Sequence, residues 1–318
     1  MHCLVTGGAG FIGSHFCDHL LAQGHTVVAL DNFNDYYDPR IKKRNIAPLL
    51  PRPGFAVVEA DILDAARLQQ LFGTQAFEAI IHLAARAGVR PSIAQPLLYE
   101  QVNIQGTMNL LEMARLHKIP KFIFGSTSSI YGENRKVPFS EDDPVDHPIS
   151  PYAATKKACE LLCYTYHHLH NLKISCLRFF TVYGPRQRPD MAIHKFTQLI
   201  ATGRKVPMFG DGTTKRDYTY ITDIIDGLYR ALQRCSSYHL YNLGEARTIE
   251  LRSLIDLIAK NLGKEARIER LPIQPGDVPI TYADVSRAQR ELDYQPTVNI
   301  EEGVHHFVEW FKEVHHLR

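Results

Sequence analysis

Through roughly its first 180 residues the chain alternates short, continuously apolar runs with longer stretches whose apolar residues recur at helical spacing. Residues 3–6, 26–30, 55–60, 79–83, 121–125 and 174–180 read as strands. Residues 12–21, 98–116 and 152–169 read as helices, the second stopped by Ile119-Pro120. The strands are rich in β-branched residues and apolar throughout, the pattern of a parallel sheet covered on both faces. Their alternation with helices predicts right-handed βαβ units and an α/β, doubly wound fold. From about Tyr183 the pattern loosens and Pro and Gly become frequent, as at Gly184-Pro185, Gly210 and Gly212. Helical spacing persists at 193–202, 224–233, 251–261 and 302–314. We expect a domain over residues 1–182 and a smaller C-terminal substrate-binding region over 183–318. The second lies over the carboxyl ends of the sheet and is interleaved with the first if late strands rejoin it.

Composition narrows the class. The 318 residues are 45% hydrophobic and 22% charged, which excludes disordered, collagen-like and low-complexity chains. Lysine and arginine total 36 against 34 acidic residues, a net charge of +2, so nothing calls for a nucleic-acid or membrane partner. No apolar run reaches the ~18 residues of a spanning helix. Met1–Val5 shows no basic-then-apolar leader pattern. The six cysteines form no CxxC pair, and several fall on apolar faces, which fits a reducing compartment. The expected location is the cytoplasm. The histidine pairs at 167/168, 305/306 and 315/316 lack metal-site spacing, so no metal is expected. The basic run 40–44 reads as a solvated helix face.

Chemistry enters at Gly7, Gly10 and Gly13, spaced GxxGxxG between the first strand and the first helix with Phe11 and Ile12 inside the motif. Gly7 permits the tight turn, Gly10 lets the backbone approach a pyrophosphate, and Gly13 lets the helix pack close to the strand. At the first strand–helix junction this spacing marks a Rossmann-type dinucleotide site. Asp31, followed by Asn32, ends the second strand eighteen residues after Gly13. A carboxylate there binds both hydroxyls of an adenosine ribose and repels a 2′-phosphate, so the expected cofactor is NAD and not NADP. A helix or turn cap is the competing reading of Asp31. Asp61-Ile62 ends the third strand, at the adenine edge or as a helix N-cap. Leu83, Ala84 and Ala85 end the fourth strand, small enough for a cofactor to lie across it.

Tyr152 and Lys156 form a YxxxK at the start of a helix, four apart and on one face. An ammonium beside a phenol lowers its pKa from ~10 toward neutrality. Alone, the pair reads as a surface helix face. The fifth strand, however, ends in Ser126-Thr127-Ser128-Ser129. Tyr152 as base, Lys156 as electrostatic modulator and Thr127 as hydrogen-bonding partner suit proton removal from a carbinol while hydride leaves for NAD. The competing reading of the hydroxyl run is a polar turn.

These motifs, with runs 31–38, 82–90 and 179–185, Arg188-Pro189-Asp190-Met191-Ala192, Pro275-Gly276-Asp277 and Tyr282-Ala283-Asp284, resemble the nucleotide-sugar epimerases of the extended short-chain dehydrogenase/reductase family. The resemblance spans most of the chain. The runs are most similar to those of family members that act on UDP-glucuronate. The resemblance implies inversion at C4 of a UDP-sugar through a transient 4-keto sugar, with NAD bound and regenerated each turnover. Dehydrating relatives look similar but carry an Asp-Glu or Glu after the catalytic Thr/Ser, and decarboxylating ones a Glu at the place of Ser129. Here Ser128 and Ser129 stand instead, which disfavours both. Many UDP-glucose 4-epimerases look as if they carry Asn where Thr181 stands. Thr181, Ser128 and Ser129 then make a hydroxyl-lined pocket for a uronate carboxylate, with UDP-glucose/UDP-galactose as the alternative substrate pair. The resemblance puts Arg216 on the pyrophosphate, with Arg188 as a second cation for phosphate or sugar and Asp277 as a partner for the uridine ribose; the competing reading of Arg216 and Arg188 is a pair of exposed arginines. It also implies a homodimer built on the helices at 98–116 and 152–169. A non-catalytic NAD-binding regulator on this fold is expected to lack Tyr152 or Lys156, and both are present.

Overall fold

A computed structural model describes residues 1–273 and 276–317. In chain order the strands are β1 (His2–Thr6), β2 (Thr26–Asp31), β3 (Phe55–Glu59), β4 (Ala79–His82), β5 (Lys121–Thr127), β6 (Lys173–Phe179), β7 (Thr181–Tyr183), β8 (Val206–Phe209), β9 (Lys215–Arg216), β10 (Tyr218–Tyr220), β11 (Tyr238–Leu243), β12 (Ile249–Glu250) and β13 (Ile268–Leu271). Among the described residues, seven of them form one parallel sheet in the order β11-β6-β5-β4-β1-β2-β3. The chain winds outward from β1 through β2 and β3, then returns to the other side of β1 for β4, β5 and β6. That reversal leaves a crevice at the carboxyl ends of β1 and β4, where open α/β sheets bind ligands.

Alternation along each strand fills two core layers. Cys3 and Val5 of β1 face one hydrophobic cluster and Leu4 the other. On β5, Ile123 joins the first cluster and Phe122 and Phe124 the second. Burial on both faces is why the strands read as unbroken apolar runs.

The helices that carry chemistry are α1 (Phe11–Ala22), α2 (Pro39–Ile46), α3 (Ala65–Thr74), α4 (Val89–Ala94), α5 (Pro96–Glu100), α6 (Gly106–Leu116) and α7 (Pro151–His170). The single helix expected over 98–116 is interrupted by a wider π-turn at Gln101–Gln105. Asn103 is buried in that turn, accepting from the Arg86 backbone N–H at 2.8 Å and donating to Thr155 of α7 at 3.0 Å. Those bonds tie the turn to the β4 loop and to α7. Helix α7 starts where Ser150 caps the Ala153 N–H and Pro151 takes the first turn, and it stops at Asn171 in left-handed conformation.

Past β6 the pairings are short: β7 with β10 and β8 with β13 are parallel, and β9 with β12 is antiparallel. Strand β11 leaves this region to extend the main sheet beside β6, with Tyr238 opposite Ile174. The regions before and after residue 182 are therefore joined through a shared sheet.

Candidate active site

The crevice is a cleft of about 430 Å³ running from the glycine turn to α7. At the glycine-turn end, Gly7 has φ of +68°, and a Cβ there would lie 2.9 Å from the Ala84 backbone nitrogen. A Cβ on Gly13 would come within 2.1 Å of the Gly7 carbonyl oxygen. Both positions demand glycine for reasons of backbone space. Helix α1 begins at Phe11 with no side-chain cap, so its first N–H groups are open to an anionic ligand. The Asp31 carboxylate accepts from the Phe33 N–H at 2.9 Å and the Ala9 N–H at 3.2 Å. Asp61 accepts from the Asn32 amide at 2.7 Å and the Leu63 N–H at 2.9 Å. Helix α3 is capped by Asp64, not by Asp61, which removes the N-cap reading of Asp61.

The basic run at 40–44 is not a uniformly solvated face. Arg40 is exposed, but Lys42 is buried beside Asp31, its Nζ 3.3 Å from Oδ1. Lys42, Asn45 and Ile46 form the inward face of α2. Helical spacing of these three is the signal that composition alone hid.

At the far end, Tyr152 lies in the first turn of α7 and Lys156 one turn later. The Thr127 hydroxyl is within hydrogen-bonding reach of both the Tyr152 phenol and Ser129 Oγ, the latter at 3.2 Å. Lys156 donates to the Gly125 carbonyl at 2.7 Å, tying α7 to the end of β5. Burial pulls the Lys156 ammonium down to about 8. Burial also pushes the Tyr152 phenol up, opposed by the Thr127 hydrogen bond and the Arg188 charge. The ammonium points to the Gly125 carbonyl, and the guanidinium of Arg188 is the cation the phenol feels.

Arg188 faces the cleft. Burial works to lower its guanidinium, and the Asp190 carboxylate, bonded at 3.0 Å and 3.1 Å, raises it beyond that loss. It also stands 5.7 Å over the Tyr36 ring, which Arg86 approaches at 5.8 Å from its own position. Tyr36 and Tyr37 therefore wall the cleft, roles that sequence reasoning did not assign. Ser128, Ser129 and Thr181 line the same end.

Every residue expected on the cofactor, together with Thr127, Ser128, Ser129, Thr181 and Arg188, borders this one cleft. Arg216 and Asp277 do not. They meet Arg90 in a separate group, where Asp277 bonds Arg90 at 2.9 Å and Arg90 covers the Phe209 ring at 4.3 Å. Pro275, part of the same motif, lies outside the described residues. His82 serves as a strut: its ring nitrogens meet Thr6 at 2.8 Å and Thr107 at 3.0 Å, and burial pushes its pKa down to about 3.

The site's outline is that of a dinucleotide-dependent carbinol chemistry on a doubly wound sheet. Residues 4–307 match the family described as GDP-mannose 4,6 dehydratase, and the chain belongs to that family. It is 45% identical over 311 residues to a UDP-glucuronate 4-epimerase of Thermodesulfobacterium geofontis, covering 98% of this chain and 96% of that protein. It superposes on the crystal structure of a Bacillus cereus UDP-glucuronic acid 4-epimerase in complex with UDP-glucuronic acid and NAD, with a TM-score of 0.93, 39% identity, and coverage of 99% and 100%. A Thermotoga maritima UDP-glucose 4-epimerase with UDP-glucose matches with a TM-score of 0.92 at 34% identity, covering 99% of each chain.

Proposed function

We propose that this chain is an NAD-dependent UDP-sugar 4-epimerase, an isomerase that interconverts UDP-glucuronate and UDP-galacturonate. The observation that carries this reading is the convergence of Tyr152, Thr127 and Lys156 on the cleft whose other end is the glycine turn. The uncapped start of α1, the glycine positions closed to any Cβ, and Asp31 at the end of β2 fit NAD. In this reading residues 1–182 hold the cofactor and residues 183–318 supply most of the contacts to the UDP-sugar. Bound there, NAD supplies a hydride acceptor and donor for C4 of the sugar.

Tyr152 takes the proton from the sugar 4-hydroxyl, and Thr127 orients the phenol through its hydrogen bond. Lys156 keeps a positive charge beneath this pair and stands available to a ribose hydroxyl. When the ketone presents its opposite face, Tyr152 returns the proton and the C4 configuration is inverted. Ser128 and Ser129 stand where elimination needs carboxyl groups. That supports epimerisation over dehydration within a family that contains both.

A 4-keto uronate is a β-keto acid and can lose CO₂. Ser128, Ser129 and Thr181 are neutral donors at the cleft wall. They hold the carboxylate near the ring plane, away from overlap with the ketone, which suppresses that loss. Arg216 binds the pyrophosphate and Asp277 the uridine ribose, next to the cleft instead of within it. The deciding experiment is product analysis by NMR with UDP-glucuronate and UDP-glucose in parallel. Preference for UDP-glucuronate supports the reading, and equal or better turnover of UDP-glucose overturns the carboxylate pocket.

We also propose a cytoplasmic homodimer. Leu116 of α6 and Leu161, Tyr164 and Leu169 of α7 are exposed apolar side chains on the two helices expected at the two-fold. All six cysteines are buried and unpaired, which supports a reducing compartment. Among the described residues, no helix is long and apolar enough to cross a membrane. Light scattering that returns the mass of one chain overturns the dimer.

A further inference from the structure

Beneath the cleft floor lies a buried ion pair that the mechanism above does not use. Glu160 follows Lys156 by one turn on α7, and both it and Arg178 of β6 are only 1% exposed. Arg178 Nε donates to Glu160 Oε1 at 3.0 Å and Nη2 to Oε2 at 2.9 Å, a two-pronged contact. Glu160 Oε1 also accepts from the Ser126 hydroxyl at 2.7 Å. On its other side, Arg178 Nη1 donates to the Tyr131 hydroxyl at 3.1 Å. Tyr131 in turn donates to Asn242 of β11 at 2.7 Å, and Asn242 donates to the backbone carbonyls of Phe139 and Asp284 at 2.9 Å and 3.1 Å.

Each partner sits on an element that delivers a site residue. Helix α7 bears Tyr152 and Lys156. Ser126 directly precedes Thr127 at the end of β5. Tyr131 closes the 3-10 turn Ser128–Tyr131, which presents Ser128 and Ser129. Strand register puts Ser126 opposite Arg178. Arg178 is therefore a node common to the base, its hydrogen-bonding partner and the hydroxyl pocket. A buried ion pair is a poor source of net stability, because desolvating both charges cancels most of their attraction. Its rigid, bidentate geometry is what an apolar pair of similar volume lacks.

We propose that Arg178 and Glu160 are positioning residues that set the placement of Tyr152 against Thr127 and the Ser128–Ser129 turn. The proposal rests on the functional reading above. A misplacement on the order of 1 Å costs about 10²-fold in rate when it falls on reacting groups. Neither side chain borders the cleft, so neither touches substrate or cofactor directly.

The test uses the full-length protein with its bound cofactor. The Glu160→Leu/Arg178→Met pair removes both charges of the bidentate contact together and leaves Lys157, 4.0 Å from Glu160, partly exposed to solvent, so it is expected to fold with a melting temperature near wild type. Its kcat on UDP-glucuronate is expected to fall by roughly 10- to 100-fold, a larger change than any in KM, with bound NAD within about twofold of wild type. Arg178→Lys keeps the charge but cannot hold Glu160 and Tyr131 together, and it is expected to stay slow. A folded double variant with kcat within about twofold of wild type overturns the proposal. So does a kcat loss matched by loss of NAD, or full recovery in Arg178→Lys. A second readout needs no substrate: the absorbance titration of Tyr152, taken as the difference between each variant and its Tyr152→Phe counterpart. Loosening the Thr127 contact is expected to move that titration upward, and an unmoved titration in a folded double variant overturns the proposal. A wild-type protein that leaves UDP-glucuronate unchanged sinks the functional reading, and the titration still decides the positioning.

Discussion

The two ends of the cleft are built by different means. The glycine-turn end consists of consecutive strand–helix junctions, with Gly7–Gly13 after β1, Asp31 closing β2 and Asp61 after β3. Backbone space and short local hydrogen bonds fix it. The Tyr152 end is assembled from separate pieces: Tyr152 on α7, Thr127 on β5, Thr181 on β7 and Arg188 in the loop beyond. Further out, Arg90 reaches Asp277 across 187 residues of chain. The first kind of site is intolerant of added atoms at its glycines. The second depends on single side chains and on whatever holds their elements in register.

Substitutions at each end put this contrast at risk. The largest effect is expected from Tyr152→Phe, which removes the proton carrier and leaves the ring. Steady-state assays should show kcat down by about 10²- to 10⁴-fold with NAD still bound. Near-normal turnover would remove Tyr152 from the chemistry. Gly13→Ala is the counterpart at the other end. A Cβ 2.1 Å from the Gly7 carbonyl oxygen must displace backbone, so the purified protein should lose bound NAD and about 1–3 kcal/mol of stability. Retention of cofactor by that variant would mean the turn is softer than its geometry implies.

Arg216→Ala should raise KM for the UDP-sugar by roughly 10- to 100-fold with kcat little changed, the size of a lost charged hydrogen bond of about 1.5–3 kcal/mol. Next comes pH. Burial takes Lys156 from its ordinary value of 10.5 down to about 8 in the folded chain. Between those values the unfolded chain holds the proton and the folded chain has released it. The group's contribution to stability therefore rises with pH across that window, while the positive charge leaves the site. A pH–rate profile should fall by several-fold above about pH 8 even as the fold is not weakened by this group. Smallest in its effect on rate is Lys42→Met, which strands Asp31 in the interior. A lower melting temperature and weaker NAD retention are expected, with kcat at saturating NAD close to wild type.

Much of this site is legible in the order of residues along the chain, and the reason differs by residue. Gly7 and Gly13 declare themselves because backbone that leaves no room for a Cβ imposes a fixed spacing on the chain, with Gly10 a tighter-than-ordinary third position, where a Cβ would lie 3.1 Å from the Gly7 carbonyl oxygen. Tyr152 and Lys156 are legible because one helical turn brings them to one face. Arg216 and Asp277 are assignable to a common ligand only by resemblance. In the folded chain they group with Arg90 beside the cleft and not on its wall. Lys42 is hidden in a basic run whose neighbour Arg40 faces outward. The π-turn at Gln101–Gln105 leaves no mark in the apolar spacing, because it depends on where Asn103 finds its partners.

Local steric rules and the period of the apolar pattern are properties of neighbouring residues. The strand–helix alternation, the dinucleotide turn and the tyrosine–lysine pair are therefore written into the chain directly. Which cation the Tyr152 phenol feels is a different matter. Arg188 opposes the effect of burial on that phenol while Lys156 turns to the Gly125 carbonyl, and the Glu160–Arg178 pair ties α7, β5 and the 128–131 turn together from below. These arrangements come into being only when the elements pack, because electrostatics and hydrogen bonding act over a few ångströms in space between residues that the chain holds far apart.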